Sequence, residues 1–272
     1  MLNGLDLFSG IGGISYALKG RVRTVAYCEC DRYAQAVLLS RMSAGEIDSA
    51  PIWDDVRTFP SDNFRGSVDI ISGGFPCQDI SLAGKRKGLE GERSGLFFEI
   101  LRLVSQVRPS FIFLENVPAI NSKGLGTVTA EITRAGYDSR WVSLSAEEVG
   151  APHKRNRWWL LAYSDSNLLR FKQGRIGGQE RQGEAELRDD GTTQQMADAK
   201  GFNGRQQNGH GQVPARGSYW GRWEPEPGVG RVVNGVPFKV DRLRALGNSV
   251  VPQCAKAAFE MLMGIKEAQR DE

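Results

Sequence analysis

Leu5-Asp6-Leu7-Phe8-Ser9-Gly10-Ile11-Gly12-Gly13 joins a strand-like apolar stretch to a glycine-rich turn, and a helical pattern follows through Ile14, Ala17 and Leu18. Glycines at such a turn let a ligand approach the backbone closely, and the N–H groups at a helix start favour an anionic group. The stretch lacks the Gly-Lys-Ser/Thr ending of a phosphate loop, and it lacks the G-x-G-x-x-G spacing of a dinucleotide fingerprint.

Outward from that turn the same alternation repeats. Arg23 to Tyr27 reads as a second strand and Arg32 to Met42 as a second helix, with Ala34, Val37, Leu38 and Met42 on its apolar side. Val68 to Ser72 reads as a buried strand. Gly95 to Val107 reads as a helix with Leu96, Ile100, Leu103 and Val107 on one face, followed by the strand Phe111-Ile112-Phe113-Leu114 and a late strand Trp158 to Ala162. Strands alternating with helices predict a mostly parallel α/β sheet covered on both faces. From about Ser164 the chain turns polar and glycine-rich, although Trp220 and Trp223 suggest some packing. Val240 to Gly264 returns to globular character, with an apolar helix from Val250.

At 272 residues the chain can bury a sizeable core, and its net charge of +3 is compatible with a polyanionic partner without demanding one. Four cysteines, Cys28, Cys30, Cys77 and Cys254, show no disulfide framework, and with only His153 and His210 beside them they argue against a structural zinc site. No run approaches membrane-spanning length, and a reducing cytoplasm is the expected compartment.

Several residues stand where chemistry is done. Cys77 follows the strand Val68 to Ser72 through the sharp turn Gly73-Gly74-Phe75-Pro76, a punctuation that exposes a thiol rather than burying it. Glu29 closes the second strand where nucleotide-binding sheets place an acid for ribose hydroxyls, and Asp55 follows the next apolar stretch. Glu115 ends an apolar strand at the sheet edge, where partial burial is expected to raise its pKa. Arg155 and Arg157 alternate in an extended segment and are expected on one side, suited to carbonyl or phosphate oxygens.

Taken in order, Asp-Leu-Phe-Ser-Gly-Ile-Gly-Gly, Gly-Phe-Pro-Cys-Gln, Glu-Asn-Val, Arg-x-Arg and Leu-Gly-Asn-Ser-Val resemble the C5-cytosine DNA methyltransferases. The resemblance implies a Rossmann-like sheet that takes S-adenosylmethionine, with residues 1–163 plus 240–272 forming the catalytic and cofactor-binding domain. Residues 164–239 are then a small irregular target-recognition lobe. It implies cofactor contacts at Asp6, Phe8, Gly10, Gly12, Gly13, Glu29, Asp55, Val56, Pro76, Asn248 and Ser249, and no metal. It implies Cys77 as the nucleophile toward C6 of a flipped cytosine in double-stranded DNA, with Glu115 at the N3 edge, Arg155 on the base carbonyl and Arg157 beside it.

A cognate restriction endonuclease is an expected partner, and the enzyme is expected to be monomeric and bacterial or phage-encoded. A tRNA substrate and a non-catalytic DNA-binding role are the alternatives. Two positions depart from the family pattern: His153 stands where many relatives have Gln, and Cys30 where an aromatic residue is frequent.

Overall fold

The computed structural model describes residues 1–76, 95–164 and 239–264. Cys77 and residues 165–238, including Trp220 and Trp223, lie outside the described residues. The elements in chain order are β1 (Leu2–Leu7), α1 (Gly13–Ala17), β2 (Val22–Cys28), α2 (Arg32–Ser43), β3 (Ile52–Trp53), β4 (Ile70–Gly74), α3 (Leu96–Val107), β5 (Phe111–Asn116), α4 (Ile120–Lys123), α5 (Leu125–Arg134), β6 (Tyr137–Leu144), β7 (Arg157–Ser164), α6 (Lys239–Asn248) and α7 (Pro252–Met263). Short 3-10 turns at Val56–Thr58, Ser61–Phe64 and Glu147–Val149 link some of them.

The strands form one sheet in the order β3-β2-β1-β4-β5-β7-β6. β3 through β5 are parallel, whereas β7 runs antiparallel to both β5 and β6. This gives the α/β class its expected parallel core. The sequence pattern predicted neither β6 nor the reversed direction of β7. The strand order turns back between β1 and β4, so the crevice beyond their carboxyl ends is where such sheets hold ligands.

Helices cover both faces for reasons visible in their sequences. On one face α3 buries Phe97, Ile100, Leu103, Val104 and Val107, against Leu5, Leu7, Ile71, Ile112 and Leu114 of the sheet. Each such side chain contributes roughly 1.5–3 kcal/mol of burial before entropy is counted. On the other face α1 and α7 pack over Ile70, Phe113, Trp159 and Leu161. Phe113 stacks on Trp159 at 5.3 Å and meets Phe259 edge-on at 5.2 Å. Neighbours Trp158 and Trp159 are fully buried on opposite faces, as alternation along a strand requires.

The last described helix, α7, packs back on the N-terminal part of the chain. Pro252 fits the first turn of that helix, and Gly264 ends it with φ 68°. Glu260, 3% exposed, accepts from Arg21 through both Nε (3.1 Å) and Nη2 (2.6 Å). Arg21→Ala leaves that carboxylate buried without its partner. We expect a loss of about 1–3 kcal/mol in urea unfolding, reduced from the fully buried case because Arg21 is partly exposed. A change below a few tenths would show that the pair does not hold α7.

Candidate active site

The glycine turn after β1 is built from positive backbone angles. Phe8 has φ 52°, Gly10 φ 54° and Gly12 φ 78°, so the chain reverses sharply before α1 begins. Phe8 itself packs against the core on the α3 face. A side chain at Gly10 would meet nothing within 4 Å, whereas at Gly13 it would lie 2.7 Å from Val250 of the α6–α7 joint. The sequence suggested free N–H groups in this turn, but two are engaged within the protein. Gly10 N–H donates to Glu29 Oε2 at 2.7 Å and Gly12 N–H to the Ser9 carbonyl at 2.8 Å. The space above Gly10, not a row of vacant donors, is what the turn offers a ligand.

Glu29 is 9% exposed, and its second oxygen accepts the Asp31 N–H at 2.8 Å. Its backbone N–H bonds to the Trp53 carbonyl at the end of β3, which brings the Asp55 segment alongside. Asp55 caps the following 3-10 turn through Arg57 N–H at 3.0 Å, and the Val56 carbonyl accepts from Arg102 at 2.8 Å. Asn248 ends α6, which Arg244 fastens to Asp31 at 2.6 Å. Ser249 turns its hydroxyl back to the Leu246 carbonyl. A cleft of about 400 Å³ opens among Ile11, Gly13, Arg41, Arg155, Ser249 and Val250.

Asp6, expected among the cofactor contacts, faces inward instead. It is 1% exposed and accepts from Ser15 Oγ at 2.6 Å and Ser72 Oγ at 3.0 Å. Burial pushes its carboxyl up to about 7, against the lowering effect of those hydroxyls. Pro76 is exposed at the end of the β4 turn.

At the end of β4 the structure explains two glycines. A Cβ at Gly73 would sit 2.6 Å from the Leu7 carbonyl, and one at Gly74 would sit 2.6 Å from Glu115 Oε2. Gly74 pairs with Glu115 in the sheet, and its bare α-carbon lets the carboxylate lie across the strand end that leads to Cys77. Gly74→Ala therefore displaces Glu115. We expect any turnover that uses Glu115 to fall about 100-fold, the usual cost of misplacing a reacting group by an ångström. Activity within twofold of wild type would mean that the Glu115 position is immaterial.

Glu115 is 9% exposed and pairs with Arg157, whose Nε lies 2.8 Å from Oε1. Burial raises its pKa to about 7, with Arg157 and then Arg155 pulling it down. Arg155 and Arg157 thus both act electrostatically on one carboxylate, yet only Arg157 bonds to it. Arg155 donates to the Gly247 carbonyl at 2.7 Å and also to the Ser249 carbonyl. Its buried Nε has no partner among the described residues.

One residue of the site escaped sequence reasoning. Asn116, 2% exposed, donates from Nδ2 to the Phe75 carbonyl at 2.9 Å and so fixes the backbone two residues before Cys77. Its place beside Glu115 in Leu114-Glu115-Asn116-Val117-Pro118 was the available signal. Among the described residues no group of His, Cys, Asp or Glu is placed to hold a metal ion, and no helix is long and apolar enough to cross a membrane.

The two raised carboxyls make stability depend on pH. Between about 4 and 7 the folded protein keeps protons on Asp6 and Glu115 that the unfolded chain has released. Stability therefore falls as pH rises through that window and levels off above about 7. Urea midpoints should be lower at pH 7.5 than at pH 5, and Asp6→Leu should flatten the dependence. An unchanged slope in the variant would remove Asp6 as its source.

The chain matches the family model described as C-5 cytosine-specific DNA methylase over residues 2–209. It is 37% identical over 159 residues to the type II methyltransferase M.CviJI of Paramecium bursaria Chlorella virus IL3A, covering 58% of this chain and 42% of that protein. It is 34% identical over 175 residues to the type II methyltransferase M.HhaI of Haemophilus parahaemolyticus, covering 62% and 51%. The chain spans about half the length of these curated relatives. Among solved structures, a DNMT2 mutant of Spodoptera frugiperda superposes with a TM-score of 0.51 at 20% identity, covering 61% of this chain and 50% of that one. The Dnmt2 methyltransferase of S. pombe does so at 0.50 and 24% identity, covering 68% and 59%. At those identities the likeness is one of fold.

Proposed function

The chain belongs to the C-5 cytosine-specific DNA methylase family, and from that premise we propose that it methylates C5 of a cytosine flipped out of duplex DNA, using S-adenosylmethionine. The observation that carries the reading is Glu115, a buried carboxyl held near neutrality by its surroundings and paired with Arg157, lying over Gly74 at the strand end that runs into Phe75-Pro76-Cys77.

The residues of the β1 turn fit the cofactor. Open space above Gly10 admits a ligand, and the carboxylates of Glu29 and Asp55 at adjacent strand ends are acceptors suited to ribose hydroxyls and an adenine amino group. Phe8, Gly12, Gly13, Val56, Pro76, Asn248 and Ser249 complete the proposed contacts. Asp6, which is turned away, does not. Bound there, the cofactor supplies an electrophilic methyl group.

C5 of cytosine is a weak nucleophile, so the protein must raise its electron density. The Cys77 thiolate adds to C6, forming a C–S bond and moving the electron pair toward C5. Glu115, protonated, hydrogen-bonds the N3 edge and steadies the charge that gathers there. Arg157 holds Glu115, and Arg155 with Arg157 beside it supplies the guanidiniums for the base carbonyl. Arg155 also fastens the α6–α7 joint, and its buried Nε is left for an acceptor. Once C5 carries the methyl group, loss of the C5 proton and departure of the thiolate restore the ring and the enzyme.

We assign residues 1–163 with 240–272 to the catalytic and cofactor domain and 164–239 to target recognition. The docking of α7 on α1 and the sheet supports the first assignment. The polar and basic composition of 164–239 suits base edges and phosphates. The type II names of the relatives favour DNA and a cognate restriction endonuclease, and a free thiol nucleophile suits the cytoplasm.

The test is incubation with labelled S-adenosylmethionine and mixed-sequence duplex DNA, followed by bisulfite mapping. We expect 5-methylcytosine at one recurring sequence. Label in tRNA alone would move the substrate to RNA, and no label in either would leave a DNA-binding protein without the activity.

A further inference from the structure

Beneath the glycine turn lies a polar chain buried in the centre of the sheet. Thr24 Oγ1 of β2 donates to Ser15 Oγ of α1 at 3.0 Å, and Ser15 Oγ donates to Asp6 Oδ2 at 2.6 Å. Ser72 Oγ of β4 donates to Asp6 Oδ1 at 3.0 Å, and the Asp6 carbonyl accepts from Ser9 Oγ at 2.7 Å. All five residues are buried. Thr24 lies two residues from Val22, which packs with Ile14 of α1, so alternation along β2 puts both on the α1 face.

Replacing such a buried polar cluster with apolar side chains is often neutral or stabilising. Stability is therefore a poor reason for Asp6 to be there. Geometry offers a better one, because the carboxyl joins the two segments that converge on the crevice. One is the start of α1, which carries Ser15 and follows directly on the turn from Ser9 to Gly13. The other is β4, whose next residues are Gly73, Gly74 and Phe75.

We infer that Asp6 is a positioning residue that couples the glycine turn after β1 to the end of β4, so that neither segment adjusts without the other. Its consequence for function rests on the reading of the turn as the cofactor site. Asp6 acts through the carboxyl bonds to Ser15 and Ser72, while Ser9 bonds only to its backbone carbonyl.

The test is amide hydrogen exchange on the ligand-free protein, read at Gly12 and Tyr16 on one side and at residues 73–75 on the other. Ser72→Ala, a change in β4, should speed exchange at Gly12 and Tyr16 about 10- to 100-fold, the effect of leaving a buried acceptor without its hydrogen bond. In the Asp6→Leu background Ser72→Ala should add nothing. Asp6→Leu itself should loosen both segments and lower Tm, because the buried Ser15 and Ser72 hydroxyls lose their acceptor. Serine changes felt only on their own side, or an Asp6→Leu protein in which exchange at these two segments rises no more than elsewhere, would overturn the coupling. Calorimetric titration separates the two layers. Asp6→Leu should bind S-adenosylmethionine about 10- to 100-fold more weakly than wild type, and equal affinity would overturn the inference. Failure of the wild type to bind would retire the cofactor reading, while the exchange data would still decide the coupling.

Discussion

On the proposed function, Cys77→Ser is expected to lower methyl transfer to DNA by on the order of 10⁴- to 10⁶-fold, the scale on which enzymes lose activity when the nucleophile is removed. A serine hydroxyl at neutral pH is neither ionised nor polarisable enough to add to C6. No other described cysteine can substitute. Burial pushes the Cys28 and Cys254 thiols up to about 12 and raises the exposed Cys30 as well, with Glu29 adding to the effect at Cys28 and Cys30. Calorimetry should find S-adenosylmethionine binding intact in the variant. Single-turnover transfer within tenfold of wild type would remove Cys77 from the chemistry.

Glu115→Gln lowers the rate by about 10²- to 10⁴-fold, the range for a lost general acid. The amide can still hydrogen-bond the base but cannot give up a proton to it. The pH profile distinguishes this from simple misfolding. Burial holds the Glu115 carboxyl near 7 against Arg157 and Arg155, so the protonated form is present below that pH and lost above it. The wild-type rate should therefore decline on the alkaline side of about 7. In Glu115→Gln that alkaline decline disappears. An unchanged alkaline decline in the variant would assign it to another group.

Much of the fold could be read because its signals are local. The glycine turn, the amphipathic α3 and the apolar β5 each state their structure within a dozen residues. Residues outside local patterns were harder. β6, with the partly exposed run Asp138-Ser139-Arg140-Trp141-Val142, lacks strict alternation, and the antiparallel sense of β7 depends on its partners. The same limit applies to the site. Glu115 could be named from its place after an apolar run, since the end of a strand fixes where its side chain emerges. Asp6 could not be sorted into ligand contact or internal brace, because both occupy the end of a strand. Its inward direction is set by Ser15, 9 positions along the chain, and Ser72, 66 away. The division of labour between Arg155 and Arg157 likewise depends on Gly247 and Ser249, more than 90 residues downstream.

The central claim is that Cys77 forms a transient bond to C6 of the cytosine that is methylated. Mixed-sequence duplex DNA carrying 5-fluorocytosine tests it most directly, because fluorine at C5 leaves no proton to remove and the thiolate cannot depart. With S-adenosylmethionine present, the wild-type protein should form a stable adduct with that DNA, and peptide mass spectrometry should locate the bond on Cys77. Cys77→Ser should form none. An adduct that persists in the serine variant, or methylated ordinary DNA with no trapped adduct on the fluorinated strand, would contradict the account.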